Sequence, residues 1–203
     1  MTPDTFIIAG VAVLPFAWYS LVMGMTPGPN NLMLAASGMN FGIRQTLPHI
    51  LGVIVGFGIL FLLVGLGIGT LYTEVPAVQQ LLRWAGAAFL VYLAWRIAGA
   101  GAIETPEDAT PLRFHEAALF QFANPKAWVF STTASASFLG NGGTAGAVVL
   151  CVASIAVTLL STVTWTLFGA ALARLISKPR VQRRVNLAFA LALLATVPLI
   201  LLP

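Results

Sequence analysis

The sequence predicts an all-α membrane protein: six transmembrane helices in two inverted three-helix repeats, with the first and fourth helices broken. Three observations lead there. The first is hydropathy. Of 203 residues, 59% are hydrophobic and 8% charged, against about 25% charged in an ordinary soluble domain, and the mean hydropathy is +0.93. The second is a pair of proline-containing polar interruptions inside long apolar runs, Thr26-Pro27-Gly28-Pro29-Asn30-Asn31 and Asn124-Pro125-Lys126. The third is that each interrupted segment is followed by two uninterrupted ones. Halves of three spans each must run in opposite directions. A single transmembrane domain then occupies residues 1–203, with the first repeat over 1–100 and the second over 112–203.

Spanning takes about 20 apolar residues. Residues 6–25 form the first candidate, which runs into the first interruption and continues as a short second half over 31–41. Pro27 and Pro29 lack an N–H and fix φ, so no continuous helix passes through them. The helix that restarts at Asn30 presents free N–H groups and a partial positive charge, an anion site in outline. Residues 42–47, with Arg44, read as a loop, and 48–71 as the second span, opening on a proline at a helix start. Residues 72–75 are a short acidic turn and 76–98 the third span. The hydrophilic stretch 99–111 contains Glu104, Glu107 and Asp108 and connects the halves. Residues 112–140 form the fourth segment, broken at Asn124-Pro125-Lys126. Asn141-Gly142-Gly143 is a tight turn, 144–175 the fifth span, 177–184 a basic loop and 185–202 the sixth span.

The odd loops and their flanks hold Arg44, Arg96, Arg113, Arg174, Lys178, Arg180, Arg183 and Arg184, and the even side only Arg83. The positive-inside rule therefore puts the odd loops in the cytoplasm and both termini outside. Asp4, with no Lys or Arg before the first apolar run, is unlike the basic start of a signal peptide, so the first span is expected to be retained. The net charge of +4 lies in loops, and no basic tract with interleaved aromatics suggests nucleic acid. Cys151 is the single cysteine and reads as a buried, inert thiol. No His, Cys, Asp or Glu spacing resembles a metal site, and no nucleophile–base set converges. Neither an enzyme nor a cofactor is implied.

Lys126 is the charge placed deep inside a span, where a lysine costs about 2.5–3.5 kcal/mol. It either faces a midplane cavity, meeting a carboxylate or changing protonation state, or it caps carbonyls freed by Pro125 or snorkels to the interface. Asn30, Asn31, Gln121 and Asn124 flank the two interruptions. They can cap broken helix ends or bind a zwitterion. Gly52 and Gly56 form a small-xxx-small helix-packing pattern. Ser154, Thr158, Ser161 and Trp165 share one helical face, as do Trp128, Ser131 and Ser135. Such stripes bond their own backbone or a neighbouring helix, or line a pathway. Trp18, Tyr19, Trp84, Tyr92 and Trp95 read as interfacial anchors, and His49 and His115 as loop-edge residues.

Thr26-Pro27-Gly28-Pro29-Asn30 followed by Asn124-Pro125-Lys126-Ala127 resembles the LysE/RhtB family of amino-acid exporters. Length, span number, Gly42, the glycine-rich second span and the basic loop after span five extend the resemblance over essentially the whole chain. It implies a homodimeric secondary transporter of the inner membrane, surrounded by lipid and driven by the proton-motive force, exporting an amino acid or related metabolite. The substrate-binding residues so implied are Thr26, Pro27, Gly28, Pro29, Asn30, Asn31, Gln121, Asn124, Pro125 and Lys126. Many members carry an acid where this chain has Phe57. Its absence argues against a basic amino acid and for a small neutral or zwitterionic one. A non-transporting scaffold and a facilitative channel are the alternatives.

The charge bias makes a direct prediction. In intact cells, Asp4→Cys and Pro203→Cys should react with an impermeant thiol reagent and Ser177→Cys should not. Labelling at residue 177 alone would reverse the orientation.

Overall fold

The computed structural model of the protein describes residues 7–100, 110–176 and 178–201. The chain enters as a small antiparallel pair, β1 (Ile7–Ile8) with β2 (Val11–Ala12), in which Ile7 pairs with Ala12 and Ile8 with Val11. The turn residues Ala9 and Gly10 both have positive φ, 51° and 76°, the geometry that suits a two-residue hairpin. This corrects the placing of a helix from residue 6; apart from this four-residue pair the described elements are all helices, in keeping with the all-α expectation. Helix α1 (Val13–Met25) starts late and has 13 residues, about 20 Å of rise. That is short of the roughly 30 Å hydrocarbon core.

Helix α2 (Pro29–Leu63) follows, with Pro29 in its first turn and Gly42 bending it sharply at φ 74°, ψ 174°. The loop expected over residues 42–47 is thus a single residue. A residue with a Cβ would be strained at that φ. The carbonyl of Gly42 accepts from Thr46 Oγ1 at 2.7 Å, so helix resumes at once and Pro48 is carried inside it. His49, expected at a loop edge, is fully buried in this second half. The helix then widens into a π-helical turn, Val64–Ile68, and continues as α3 (Gly69–Glu74). The second span is therefore interrupted where the sequence suggested continuity. Tyr72 of α3 stacks on Trp128 at 4.3 Å.

Helix α4 (Pro76–Gly99) matches the third span. The fourth segment is α5 (Phe114–Ala123) and α6 (Pro125–Phe138), separated by Asn124 alone. Helix α7 (Gly143–Leu175) is long and continuous. Helix α8 (Pro179–Leu194) begins before the expected sixth span, so Arg180, Arg183 and Arg184 are helical rather than in a loop. Helix α9 (Val197–Leu201) ends the described chain. Pro29–Ile68, Pro76–Gly99 and Gly143–Leu175 are each long and apolar enough to cross a membrane. The protein is a helical, multi-pass membrane protein.

The most extensive packing joins α2 to α7. A Cβ on Gly38 would strike the backbone of Thr166, and one on Gly169 the backbone of Ala35. Lipid provides no hydrophobic drive between helices, so close approach of small residues supplies dispersion instead. Gly52 and Gly56 seat the second half of α2 against Phe114 and Ala118 of α5 in the same way. Gly38→Ala or Gly169→Ala should each cost about 1–3 kcal/mol by overpacking, read as a lower unfolding temperature in detergent. Gly99→Ala meets nothing within 4 Å and should be neutral. Equal behaviour of all three would refute this packing.

Candidate functional site

Both helix interruptions end at the same place. Helix α1 stops at Met25 and the chain stays extended through Thr26 and Gly28 before α2 begins. Asn124 ends α5 and starts α6, and its Oδ1 accepts from Lys126 N at 3.1 Å. Pro29 and Pro125 occupy first-turn positions, where a missing N–H is harmless.

The carbonyls freed at the end of α1 are satisfied from across the fold. Lys126 Nζ donates to Thr26 O at 2.9 Å and to Thr26 Oγ1 at 2.8 Å. Thr26 Oγ1 donates onward to Met23 O at 2.8 Å. Asn31 Nδ2 donates to both Thr26 O and Gly24 O at 2.8 Å. Ser161 Oγ of α7 donates to Gly24 O at 2.7 Å. A carbonyl offers two lone pairs, and at Gly24 and Thr26 both are used. Asn30 and Gln121 form a reciprocal amide pair, Nδ2 to Oε1 at 2.8 Å and Nε2 to Oδ1 at 3.2 Å. Gln121 Nε2 also donates to Ala117 O at 2.9 Å, and its side chain is fully buried. Lys126 therefore does cap a break, but the other one, a hundred residues away.

These groups surround a cavity of about 80 Å³. Gly28, Asn30, Asn31, Asn124 and Lys126 line it, so the first turns of α2 and α6 face one space. Gly28 has a specific steric role, since a Cβ there would come within 3.1 Å of Lys126 Cδ and Nζ. Of the other implied site residues, Thr26 holds the lysine, Gln121 holds Asn30, Pro29 and Pro125 start helices, and Pro27 is exposed. None of these five is in the cavity wall.

Helix α7 adds Ser154, Thr158 and Ser161 to the wall, while Trp165 lies outside it against Phe168. Ser154 bonds its own helix, at Cys151 O, and Ser161 bonds α1, so that stripe combines the readings left open for it. Of the second stripe, Trp128 Nε1 donates to Phe122 O at 2.8 Å, and none of the three lines the cavity. Phe57 and Phe130 form an aromatic wall with ring centroids 5.3 Å apart. Ser20 completes it from α1. Phe57 stood out in the sequence only as a missing acid. Ser20, one hydroxyl in an apolar run, carried no periodic signal at all.

A larger cavity, about 530 Å³, is lined by residues within 33–41 of α2, with Ser37, Asn40 and Arg96 among mainly apolar residues. At its edge Asn40 and Asn186 form another reciprocal amide pair, at 2.8 and 2.9 Å. Asn186 is fully buried, and the sequence offered no sign of this link between α2 and α8.

A family model described as LysE type translocator matches residues 21–201. The chain belongs to the LysE family. That family consists of transporters, not enzymes. The cysteine/O-acetylserine efflux protein of Escherichia coli strain K12 is 38% identical to this LysE-family chain over 125 residues, 61% of the chain and 64% of that protein. The proteins of the same description from Shigella flexneri and from Escherichia coli O1:K1 are 38% and 37% identical over the same extent. The match thus spans just under two thirds of these relatives. No solved structure matches the chain.

The amide pair makes the next prediction. Gln121→Leu leaves Asn30 without its partner and should cost about 1–3 kcal/mol, whereas adding Asn30→Leu should recover part of the loss. A double-mutant cycle on thermal unfolding measures the coupling. Strictly additive losses would show that the pair contributes nothing as a pair.

Proposed function

We propose that this protein is a secondary transporter that exports a small neutral or zwitterionic amino acid, or a close metabolite, across the inner membrane, coupled to protons. The observation that carries the reading is the convergence of two interrupted helices and Lys126 on one cavity. Helix N-termini and a lysine ammonium together favour a carboxylate. Among the described residues of the cavity wall none is acidic, and Lys126 is the one basic residue. A substrate ammonium would find only neutral acceptors, such as Asn31 Oδ1, whose contact with Ser161 is a long 3.5 Å. That composition disfavours a second, side-chain cation. The substrates for which the relatives are named, cysteine and O-acetylserine, are small zwitterions of this kind.

The cavity's volume, about 80 Å³, holds two or three waters at about 30 Å³ each and is half of a cavity that takes benzene. An amino acid enters only if the walls separate. Six spans in two inverted three-helix repeats supply that motion, each repeat contributing one interrupted helix and rocking against the other. The Thr26–Lys126 clamp crosses between the proposed repeats, and a carboxylate competes with Thr26 for the ammonium. Odd loops in the cytoplasm and both termini outside complete the proposed arrangement.

Proteoliposomes loaded with neutral amino acids test this. Uphill efflux driven by a proton gradient is expected. Downhill-only flux would indicate a channel, and no flux a scaffold. Lys126→Met should insert normally and lose about 10- to 100-fold of transport, the worth of a charge-assisted hydrogen bond. Lys126→Arg keeps the charge but does not release a proton, so it should bind substrate and fail in proton-coupled flux. Wild-type uphill flux in Lys126→Met would remove the lysine from the mechanism.

A further inference from the structure

We propose that Ser20 is a specificity-determining residue of this site, reading the side chain of a small amino acid that ends in one uncharged hydrogen-bonding group. The inference rests on the exporter reading above and adds to it the residue that distinguishes one neutral substrate from another.

Ser20 is 1% exposed, it lines the cavity, and its Oγ has no hydrogen-bond partner. A buried hydroxyl left unpaired is unfavourable; Ser131 and Ser135 share that state, but of the three only Ser20 lines the cavity. Ser20 had an alternative close at hand. Thr132, Thr164 and Thr166 each donate to the carbonyl four residues back in their own helix, at 2.7–2.8 Å. Ser20 makes no such bond. Among the other hydroxyls of the wall, Ser154, Ser161 and Thr162 have their protons committed to Cys151 O, Gly24 O and Leu159 O; Thr158 makes no such bond either, but it is only half-buried, whereas Ser20 is enclosed. Ser20 retains both its donor and its acceptor capacity.

Its level in the cavity fits a side-chain contact. Gly146 lies against Val11, and Gly24 against Val157 and Ser161, so α1 and α7 run side by side in the same direction. Gly24, Asn31 and Ser161 mark the level of the helix breaks. Ser20 stands one turn before Gly24, about 6 Å away along α1. A small α-amino acid spans about 4 Å from its carboxyl carbon to its side-chain tip. With its carboxylate at the breaks and a hydrogen bond at the far end, it reaches Ser20. Around that end the wall is aromatic, with Phe57 and Phe130. A charged side chain finds no counter-charge there, and a purely apolar one leaves the Ser20 hydroxyl unpaired in a dry site. A site built to hydrogen-bond its substrate rejects the analogue that lacks the group.

The test is competition between labelled L-serine and L-alanine in proteoliposomes containing wild type, Ser20→Ala or Ser20→Thr. Wild type should favour serine. The serine-to-alanine flux ratio should fall about tenfold in Ser20→Ala and persist in Ser20→Thr, which keeps the hydroxyl. An unchanged ratio in Ser20→Ala, whatever the total flux, would show a structural role only and overturn the inference. Wild type that carries other neutral amino acids but not serine, or alanine as readily as serine, also overturns it and leaves the exporter reading standing. Wild type that carries no amino acid overturns both.

Discussion

A peptide carbonyl released from its helix in the middle of a bilayer has no water to turn to, and leaving it unpaired costs several kcal/mol. This chain releases such groups at two places, and its fold is arranged around satisfying them. The end of α1 presents Gly24 O and Thr26 O, and these take donors from α2, α6 and α7 through Asn31, Lys126 and Ser161. The donors come from both halves of the chain. The first break is therefore satisfied only once the two halves meet, whereas the second is satisfied within its own segment, by Asn124 and by Trp128 Nε1 on Phe122 O. Gly24 serves that end itself, since without a side chain it lies against Val157 and Ser161 of α7, where Ser161 reaches its carbonyl.

The same bonds make the site responsive. A lysine ammonium carries three donors and no acceptor, and here two of the three are taken, by Thr26 O and Thr26 Oγ1. An incoming carboxylate offers a stronger, charge-assisted partner. In the proposed mechanism, substrate binding and loosening of the contact between the breaks are one event. The small size of the cavity goes with the polar groups around it satisfying one another. The apolar side, Phe57 and Phe130 with Phe61 and Phe16 packed behind, keeps that exchange dry.

Local chemistry was legible in the sequence, and long-range partnership was not. Pro27, Pro29 and Pro125 announce helix ends because the missing N–H and fixed φ act on the nearest turn. Pro76 likewise opens α4 where expected. The five cavity residues at the breaks, Gly28, Asn30, Asn31, Asn124 and Lys126, were all within the motifs first singled out. Gly42 was visible as a break but not as a one-residue bend, because that depends on Thr46 bonding its carbonyl. The β1–β2 pair was hidden by its own hydropathy, since an apolar run does not distinguish the end of a span from a short apolar hairpin. The link from Lys126 to Thr26, the Asn40–Asn186 pair and the placing of Ser20 all depend on which helix faces which. No spacing within one segment encodes that.

The central claim is that a substrate carboxylate binds between the two breaks against Lys126. The chain has two lysines, Lys126 and Lys178, so Lys178→Arg protein grown on lysine labelled with ¹⁵N at the ζ position carries one labelled ammonium. Solid-state NMR in lipid can then measure its distance to the ¹³C-labelled carboxyl carbon of bound L-serine. A direct contact predicts strong dipolar dephasing and a separation of about 4 Å or less. Saturable serine binding with no dephasing would place the carboxylate elsewhere and contradict the account.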